Sequence, residues 1–354
     1  MTSAAPTPGT IRLGSMSLLE PQGAVTSLPI EYDKRLMLFS GRATRRLAQN
    51  IAGKLGVELG PTKLHTFSNG EVYCRYEESI RGADVFLIQS TCGNPDEGLS
   101  ANDSLMELLV MIDAAVGASA HRVIAVVPWF GYSRQDKKSA PREPISARLV
   151  ARMIEAAGAD RVLTMDLHAG QVQGFFAKPV DHMTARFILA QHFTDMHLDN
   201  LVVVAPDVGR AKLAQKFAEN VGADLAVLIK DRPAHQVAEI GYVIGDVRGK
   251  NAIIVDDIID TAGTLSAATT TLREQGVEHV YAAATHGVFS GAAFENIDGA
   301  ELEQVIVTDT IPLRPDAPAK IRQLPCAEML TDSIRRIFTD GSVSEVFAGE
   351  NQLF

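Results

Sequence analysis

Two kinds of hydrophobic pattern alternate along the chain. Short apolar runs are typical of strands buried in a parallel sheet, and the longer segments between them repeat apolar residues with a helical period. The strand-like runs are RLMLFS (35–40), DVFLIQS (84–90), RVIAVVPWF (122–130), RVLTMDL (161–167), LVVVAP (201–206), LAVLIK (225–230), AIIVDD (252–257) and VYAAATHG (280–287). Helical periodicity covers residues 42–56, 104–118, 145–158, 212–222 and 265–276. The alternation predicts an α/β fold of mainly parallel sheets flanked by helices.

The pattern restarts near residue 200, which indicates two related α/β domains. A chain of 354 residues with 46% hydrophobic content has room for more than one core. We expect an N-terminal domain at 34–186 and a C-terminal domain at 187–354, whose last helix is expected to pack back on the first domain. Residues 1–33 are rich in Ala, Pro, Gly, Ser and Thr without periodicity, so they are predicted to be a disordered extension.

Charge and composition limit the possible partners. A formal net charge of −10 argues against nucleic acid or an anionic membrane as a general partner, so phosphate ligands would need local cations or a metal. Three cysteines without metal-type spacing fit a reducing cytoplasm. The sequence contains no apolar run of bilayer length. We therefore expect a cytoplasmic protein.

The segment AIIVDDIIDTAGTL (252–265) is the most informative part of the chain. It predicts a buried strand that delivers Asp256 and Asp257 to the sheet edge where α/β proteins bind ligands. The small residues from Thr261 to Thr264 let the backbone approach a ligand closely, and the helix that follows favours an anion at its N-terminus. Asp256 and Asp260 can accept hydrogen bonds from sugar hydroxyls. The pattern favours a phosphorylated sugar.

An ordinary strand, turn and helix with capping acids would explain part of this pattern. Three aspartates in positions 256–260 are harder to explain that way, because like charges repel unless a cation or a hydroxyl occupies the site. The segment resembles the phosphoribosyl diphosphate loop shared by type I phosphoribosyltransferases and phosphoribosyl diphosphate synthetases.

Two other predicted strands end in polar residues. RVLTMDLHAG delivers His168 to a strand end, where it could be structural or a ligand. LVVVAPDVGRAK delivers Asp207, which could also cap a helix. An imidazole and a carboxylate from neighbouring strand ends would form a plausible seat for Mg²⁺ shared with nucleotide phosphates, although imidazole is an unusual magnesium ligand.

Cationic residues follow another predicted strand. Lys230 and Arg232 could form a solvated basic turn, or a mobile loop that closes two cations over substrate phosphates and excludes water. Several kcal/mol of barrier lowering is the order expected for such cations.

Two segments of the first half carry further polar residues. Phe67, Asn69, Gly70 and Glu71 could stack on and read an adenine, but on sequence alone an ordinary turn is favoured. The loop from Arg134 to Arg142 is either a solvated charge run or an anion site, and composition does not decide between them.

Over residues 35–347 the chain resembles the ribose-phosphate pyrophosphokinases, most closely their phosphate-activated class. The matching segments, in family order, are FSGRATRRLAQNIA, FSNGEV, QSTCG, LMELLVMIDA, FGYSRQDKK, LTMDLHAGQVQGFF, APDVG, IIVDDIIDTAGTL, ATHGVFSG and VTDTIP. The resemblance implies two type I phosphoribosyltransferase-like domains. It also implies transfer of the diphosphoryl group of ATP to ribose 5-phosphate, giving AMP and phosphoribosyl diphosphate for nucleotide, His and Trp biosynthesis.

The resemblance also implies roles for particular residues. Lys230 and Arg232 would be catalytic, with Arg232 also contacting substrate phosphate, and His168 and Asp207 would bind Mg²⁺. The ATP contacts would be Phe67, Asn69, Gly70 and Glu71, usually from a neighbouring subunit, with Arg134 and Gln135. The ribose 5-phosphate contacts would be Arg232, Asp256, Asp257, Asp260, Thr261, Ala262, Gly263 and Thr264. A hexameric homo-oligomer, with inorganic phosphate and ADP as effectors at the loop 134–142, is likewise implied.

Three positions depart from the common family pattern. Asn69 stands where many relatives carry Asp, Arg210 where many carry a second Gly, and Ala262 where Gly is common. None of these changes removes a group that the chemistry needs. A catalytically silent regulatory subunit and a phosphoribosyltransferase are the alternative functions. The first would be expected to lose the catalytic or metal residues, and the second has no use for the first-half motifs.

Overall fold

The computed structural model describes residues 34–234 and 237–344, so the predicted extension 1–33 lies outside the described residues. The β-strands are β1 Leu36–Ser40, β2 Thr62–Thr66, β3 Val72–Tyr76, β4 Asp84–Ile88, β5 Arg122–Val127, β6 Arg161–Met165, β7 Val180–Met183, β8 Leu201–Ala205, β9 Asp224–Ala234, β10 Val237–Ile244, β11 Asn251–Ile259, β12 His279–Gly287, β13 Gln304–Thr308 and β14 Ile321–Leu324. The α-helices are α1 Arg45–Leu55, α2 Ala101–Gly117, α3 Ser146–Ala157, α4 Arg186–Asp195, α5 Ala211–Val221, α6 Gly263–Glu274, α7 Ala293–Gly299 and α8 Ala327–Phe338.

The strands form two large sheets and one small ribbon. The first sheet has the order β1-β4-β5-β6-β7 and all its pairs are parallel. The second has the order β10-β9-β8-β11-β12-β13-β14 and is parallel except for β10. The ribbon pairs β2 with β3 antiparallel. The predicted α/β fold with mainly parallel sheets and flanking helices is confirmed.

Three hydrophobic layers hold the helices against the sheets. Residues of α1, α4, α5 and α8 share one core with inward-facing positions of both sheets. The helices α2 and α3 cover the other face of the first sheet, and α6 and α7 cover that of the second. This first layer therefore packs the two sheets together.

The last described helix, α8, packs on the first described helix, α1. Helix α8 contacts α1, and Lys54 of α1 lies 3.2 Å from Glu328 of α8. The division at residues 186 and 187 stays a prediction. No helix in the described ranges is long and apolar enough to cross a bilayer.

Candidate functional site

A cavity of about 400 Å³ opens at the carboxyl edge of the second sheet. Site residues predicted in distant parts of the sequence line it. Arg210, which the sequence analysis noted only as a departure from the family pattern, lines it as well. Its polar and loop lining includes Arg134, His168, Asp207, Arg210, Asp256, Asp257, Asp260, Thr261, Ala262 and Thr264. The cavity therefore joins groups that follow β6 of the first sheet to groups that follow β8 and β11 of the second.

The small-residue loop leads directly into helix α6. Ala262 adopts the left-handed conformation, with φ of 57°, and Gly263 opens the helix. No side chain caps this end of α6, so the first N–H groups of the helix lack a side-chain acceptor. An uncapped helix N-terminus beside a cavity is suited to a phosphate group, as the sequence pattern predicted.

Asp256 and Asp257 belong to β11 itself, because this strand continues to Ile259 instead of ending before them. Its pairing with β8 ends at Ile254, which leaves both carboxylates beyond that neighbour. Burial together with the adjacent Asp257 raises the pKa of Asp256 well above its ordinary range. Burial would raise that of Asp257 too, but hydrogen bonding to His168 and the charge of Arg210 hold the pKa of Asp257 below its ordinary range. The pair therefore carries unequal charge.

His168 lies against these carboxylates. Its Nδ1 is 2.8 Å from Asp257 Oδ2. This contact holds the imidazole ring beside the carboxylate pair. His168 follows β6, which is in a different sheet from β8. The prediction that His168 and Asp207 follow neighbouring strands is therefore wrong. His168 and Asp207 nevertheless line one cavity.

The backbone that presents His168 is held by Asp166 together with Thr285 and His286, of which sequence reasoning did not single out the last two. Asp166 has φ of 36°, and its carboxylate accepts hydrogen bonds from Thr285 Oγ1 at 2.6 Å and Ala185 N at 2.8 Å. The buried His286 ring donates from Nε2 to Met165 O at 3.0 Å. The sequence signal for Thr285 and His286 is the polar end of the VYAAATHG run, which the sequence analysis interprets only as a strand.

Asp260 joins the two halves of the site. Its carboxylate is ion-paired with Arg134 and accepts a hydrogen bond from Ser290. Partial burial would raise the pKa of Asp260, but the Ser290 hydroxyl and Arg134 keep it below its ordinary value. Gln135 follows Arg134 and accepts a 2.7 Å hydrogen bond from Ser146 at the start of α3.

The predicted adenine-reading residues lie elsewhere. Phe67, Asn69, Gly70 and Glu71 form the tip of the β2–β3 ribbon, where Phe67 N donates to Glu71 O at 2.8 Å. Phe67 is 47% exposed, and none of the four residues lines the cavity. Within one chain, the structure does not bring them to the other candidate residues.

Lys230 and Arg232 are within β9, which continues to Ala234 and pairs with β10. The expectation of a turn or loop at these positions is wrong for the backbone, because Lys230 pairs with Ile240 and Asp231 with Glu239 in an antiparallel hairpin. The pairing with β10 is a long-range feature, which the local Lys-Asp-Arg-Pro pattern did not reveal.

The cavity fits a magnesium ion only if a ligand completes its shell. In the described ranges, no three His, Cys, Asp or Glu side chains converge on one metal position. Mg²⁺ typically takes one or two protein groups and fills its remaining positions with water and phosphate oxygens. His168 and Asp207 both line the cavity and can supply those two protein groups.

The comparisons with known proteins match this fold over most of the chain. Residues 36–158 match the N-terminal domain of ribose phosphate pyrophosphokinase, and residues 233–348 match the phosphoribosyl synthetase-associated domain. Ribose-phosphate pyrophosphokinase of Chlorobaculum tepidum is 48% identical over 317 residues, which cover 89% of this chain and 96% of the relative. The enzyme of that name from Caldanaerobacter subterraneus is 48% identical over 318 residues, covering 89% and 99%.

A solved structure agrees with these matches. The crystal structure of phosphoribosylpyrophosphate synthetase from Mycobacterium smegmatis superposes with a TM-score of 0.81 at 43% identity, covering 87% of this chain and 100% of that one. The fold and the matches define a two-sheet α/β protein of the synthetase type. The chain belongs to the ribose-phosphate pyrophosphokinase family.

Proposed function

We propose that the chain transfers the diphosphoryl group of ATP to the anomeric hydroxyl of ribose 5-phosphate, giving 5-phosphoribosyl 1-diphosphate and AMP. Family membership over 89% of the chain supports this activity. The observation that carries the proposal is the single cavity that joins an uncapped helix N-terminus, four aspartates and an imidazole. A phosphorylated sugar and a metal-bound triphosphate need those groups side by side.

Ribose 5-phosphate would bind along β11 and the loop after it. The N–H groups at the start of α6 and the hydroxyls of Thr261 and Thr264 would hold the 5-phosphate, because they supply donors and a favourable dipole. Asp256 and Asp260 would accept hydrogen bonds from ribose hydroxyls. These contacts would orient the anomeric hydroxyl toward the other half of the cavity.

ATP would bind across the same cavity. Arg134 and Gln135 would contact it from this chain, and the exposed ribbon tip with Phe67 would hold its adenine from a neighbouring subunit. His168 and Asp207 would hold Mg²⁺, which when bound neutralises charge on the phosphate oxygens. Lys230 and Arg232 would stabilise charge on the transferred group, since such transfer depends on electrostatics more than on a protein base.

Product analysis tests the activity directly. Protein mixed with Mg²⁺, ATP and ribose 5-phosphate should form AMP, and chelation of the metal should stop the reaction. ADP as the product would instead indicate an ordinary kinase. Absence of turnover in the presence of inorganic phosphate would favour the regulatory-subunit alternative and would contradict the proposal.

The variant Lys230→Ala tests the proposed catalytic lysine. We expect kcat to fall by roughly 100- to 1000-fold, because one cation that acts on transition-state charge is lost. The control Lys178→Ala removes a lysine in an exposed ion pair with Asp160 and should keep normal turnover. Folding should be unchanged in both, as judged by thermal melting. Near-normal kcat for Lys230→Ala would refute the assigned role.

A site shared between subunits predicts complementation. Phe67→Ala and Lys230→Ala proteins should each be weakly active, and a mixture reassembled together should regain activity. The reason is that a mixed interface can combine the intact ribbon of one subunit with the intact β9 of the other. Activity of the mixture that equals the average of the two separate proteins would show that each site is built within one chain.

Hexameric assembly and regulation by phosphate and ADP complete the proposal. The loop 134–142 supports an anion effector, because it carries several cations and two N–H groups, Ser139 N and Ala140 N, that already bind a carboxylate oxygen of Glu143 at 2.7 and 2.9 Å. Sedimentation with and without phosphate would measure the assembly. A cytoplasmic location is supported by three free thiols, Cys74, Cys92 and Cys326.

A further inference from the structure

The side chain of Arg210 occupies the centre of the candidate site. Its Nε lies 2.9 Å from Asp256 Oδ1, and its Nη2 lies 2.8 Å from Asp257 Oδ1. Nη2 is also 2.6 Å from His168 Nδ1, and Nη1 donates to His168 O at 3.3 Å. One guanidinium therefore touches two proposed sugar-binding carboxylates and a proposed metal ligand.

The local structure around Arg210 does not favour a cation. Arg210 is the last residue of a short 3₁₀ turn at Val208–Arg210 and the N-cap residue of α5, and the first turn of α5 contains no acidic residue. A positive charge at a helix N-terminus is opposed by the helix dipole. The guanidinium is held there by the carboxylates of β11, on a neighbouring strand, and not by its own helix.

The groups that Arg210 touches are those that the proposed ligands need. The guanidinium lies within ion-pair distance of the Asp256 and Asp257 oxygens that ribose hydroxyls or a metal ion would otherwise meet. The side chain of Arg210 is only 18% exposed, so it fills part of the cavity as well as neutralising it. The Arg210 guanidinium and a bound sugar or metal ion cannot occupy this position together.

We propose that Arg210 is a resident counter-cation, which neutralises the Asp256–Asp257 pair in the empty site and is displaced when the metal and substrates bind. Arg210 is thus a positioning residue: it keeps the buried carboxylates ordered without ligands, and it competes with a divalent cation that arrives without its nucleotide. The inference rests on the proposed function only in the identity of the ligands that displace the guanidinium.

Binding of Mn²⁺ to the nucleotide-free protein tests the competition. Mn²⁺ prefers the same oxygen ligands as Mg²⁺ and its free concentration is measured by electron paramagnetic resonance. We expect Arg210→Ala to bind Mn²⁺ at least about tenfold more tightly than the unaltered protein, because a positive charge within contact distance of the carboxylates is removed. Arg210→Lys, which keeps the charge but loses the planar fork, should show a smaller gain.

Two matched variants isolate the effect. Arg248→Ala removes an exposed arginine just before β11, at the opposite end of that strand, and should leave Mn²⁺ binding unchanged. The gain should disappear when Asp257→Asn is combined with Arg210→Ala, because the freed carboxylate pair is then lost. Tighter binding that survives in the double variant would mean that Mn²⁺ binds elsewhere, and it would overturn the proposal.

Thermal melting gives a second measure of Mn²⁺ binding, and it needs only a small amount of folded protein. Mn²⁺ should raise the Tm of Arg210→Ala more than that of the unaltered protein, because the cation replaces the missing counter-charge. Equal Tm shifts and equal Mn²⁺ affinity would overturn the proposal. Both measurements omit ATP and ribose 5-phosphate, so their failure is distinguishable from a failure to form AMP.

Discussion

Ala262 illustrates a local strain inside the candidate sugar-phosphate loop. Its φ of 57° is left-handed, a region that costs an L-residue about 1–2 kcal/mol and glycine almost nothing. The residue is buried at the cavity wall and directly precedes the first residue of α6. The loop geometry is therefore retained here against the preference of the side chain.

Replacing this residue by glycine should relieve the strain. We expect Ala262→Gly to raise the free energy of unfolding by about 0.5–1 kcal/mol, after the greater flexibility of glycine in the unfolded chain is subtracted. Urea unfolding would measure it. The matched control Ala267→Gly, at an exposed position within α6, should lower the free energy of unfolding by about 1 kcal/mol. Equal effects of both substitutions would contradict strain at position 262.

At the scale of elements, a buried carboxylate ties helix α2 to the segment after β1. Glu107 accepts hydrogen bonds from Arg42 N at 2.7 Å and Gln89 Nε2 at 2.9 Å, and its side chain is inaccessible to solvent. Arg42 Nη2 in turn donates to Thr66 Oγ1 at 2.8 Å, next to Phe67. This chain of contacts connects the first sheet to the ribbon that is proposed to hold ATP.

Breaking this connection should affect stability and ATP binding together. Glu107→Ala leaves a half-buried guanidinium and a buried amide without their acceptor, so we expect a loss of about 3 kcal/mol in the free energy of unfolding. The KM for ATP should rise several-fold while the KM for ribose 5-phosphate changes little. Urea unfolding and initial rates would show this, with the exposed Glu58→Ala as control. An equal rise in both KM values would indicate a general loss of structure.

At the scale of the whole molecule, charged groups clamp the end of α8 to the first sheet. The buried carboxylate of Asp84 is ion-paired with Arg122 and lies 2.9 Å from His121 Nδ1. Arg122 also reaches Asp340 at 2.9 Å, and Lys34 lies 2.7 Å from Asp340. Residues separated by more than 200 positions thus hold the C-terminal helix in place.

This clamp makes stability depend on pH. Burial would raise the pKa of Asp84, but Arg122 and His121 keep it below the ordinary 3.8. A carboxyl group with a lowered folded-state pKa contributes its full stabilisation above 3.8, and this contribution is lost as the pH falls through the folded-state value. We expect Asp84→Asn to cost about 2 kcal/mol at neutral pH and less below pH 3.8.

Unfolding by urea at several pH values would measure the clamp. The exposed pair of Arg314 and Asp316 provides the control, since Asp316→Asn should change stability little at any pH. A difference between Asp84→Asn and the unaltered protein that stays constant down to pH 3 would show that shape, and not charge, accounts for the effect.

Local patterns were sufficient for the central strands of both sheets and for α1, α2, α3, α5 and α6, but they did not predict β2, β3, β7, β10, β13 and β14. Buried strands and amphipathic helices depend on a periodicity that is written in neighbouring residues. The run IIVDDIIDTAGTL predicted the strand, the carboxylates and the start of the helix. Only the length of the strand differs, because β11 continues to Ile259. The ordinary turn favoured at Asn69 and Gly70 is present, and the structure adds that it joins β2 to β3.

By itself, then, the sequence determined an α/β chain of this family with acidic, small-residue loops at strand ends, because these are local or recurring patterns. Only the tertiary structure decided that β9 continues through Lys230 into a hairpin, that His286 supports the His168 segment, and that Arg210 bridges Asp256 and Asp257. Each of these depends on contacts between residues distant in sequence, where spacing along the chain carries no information about distance in space.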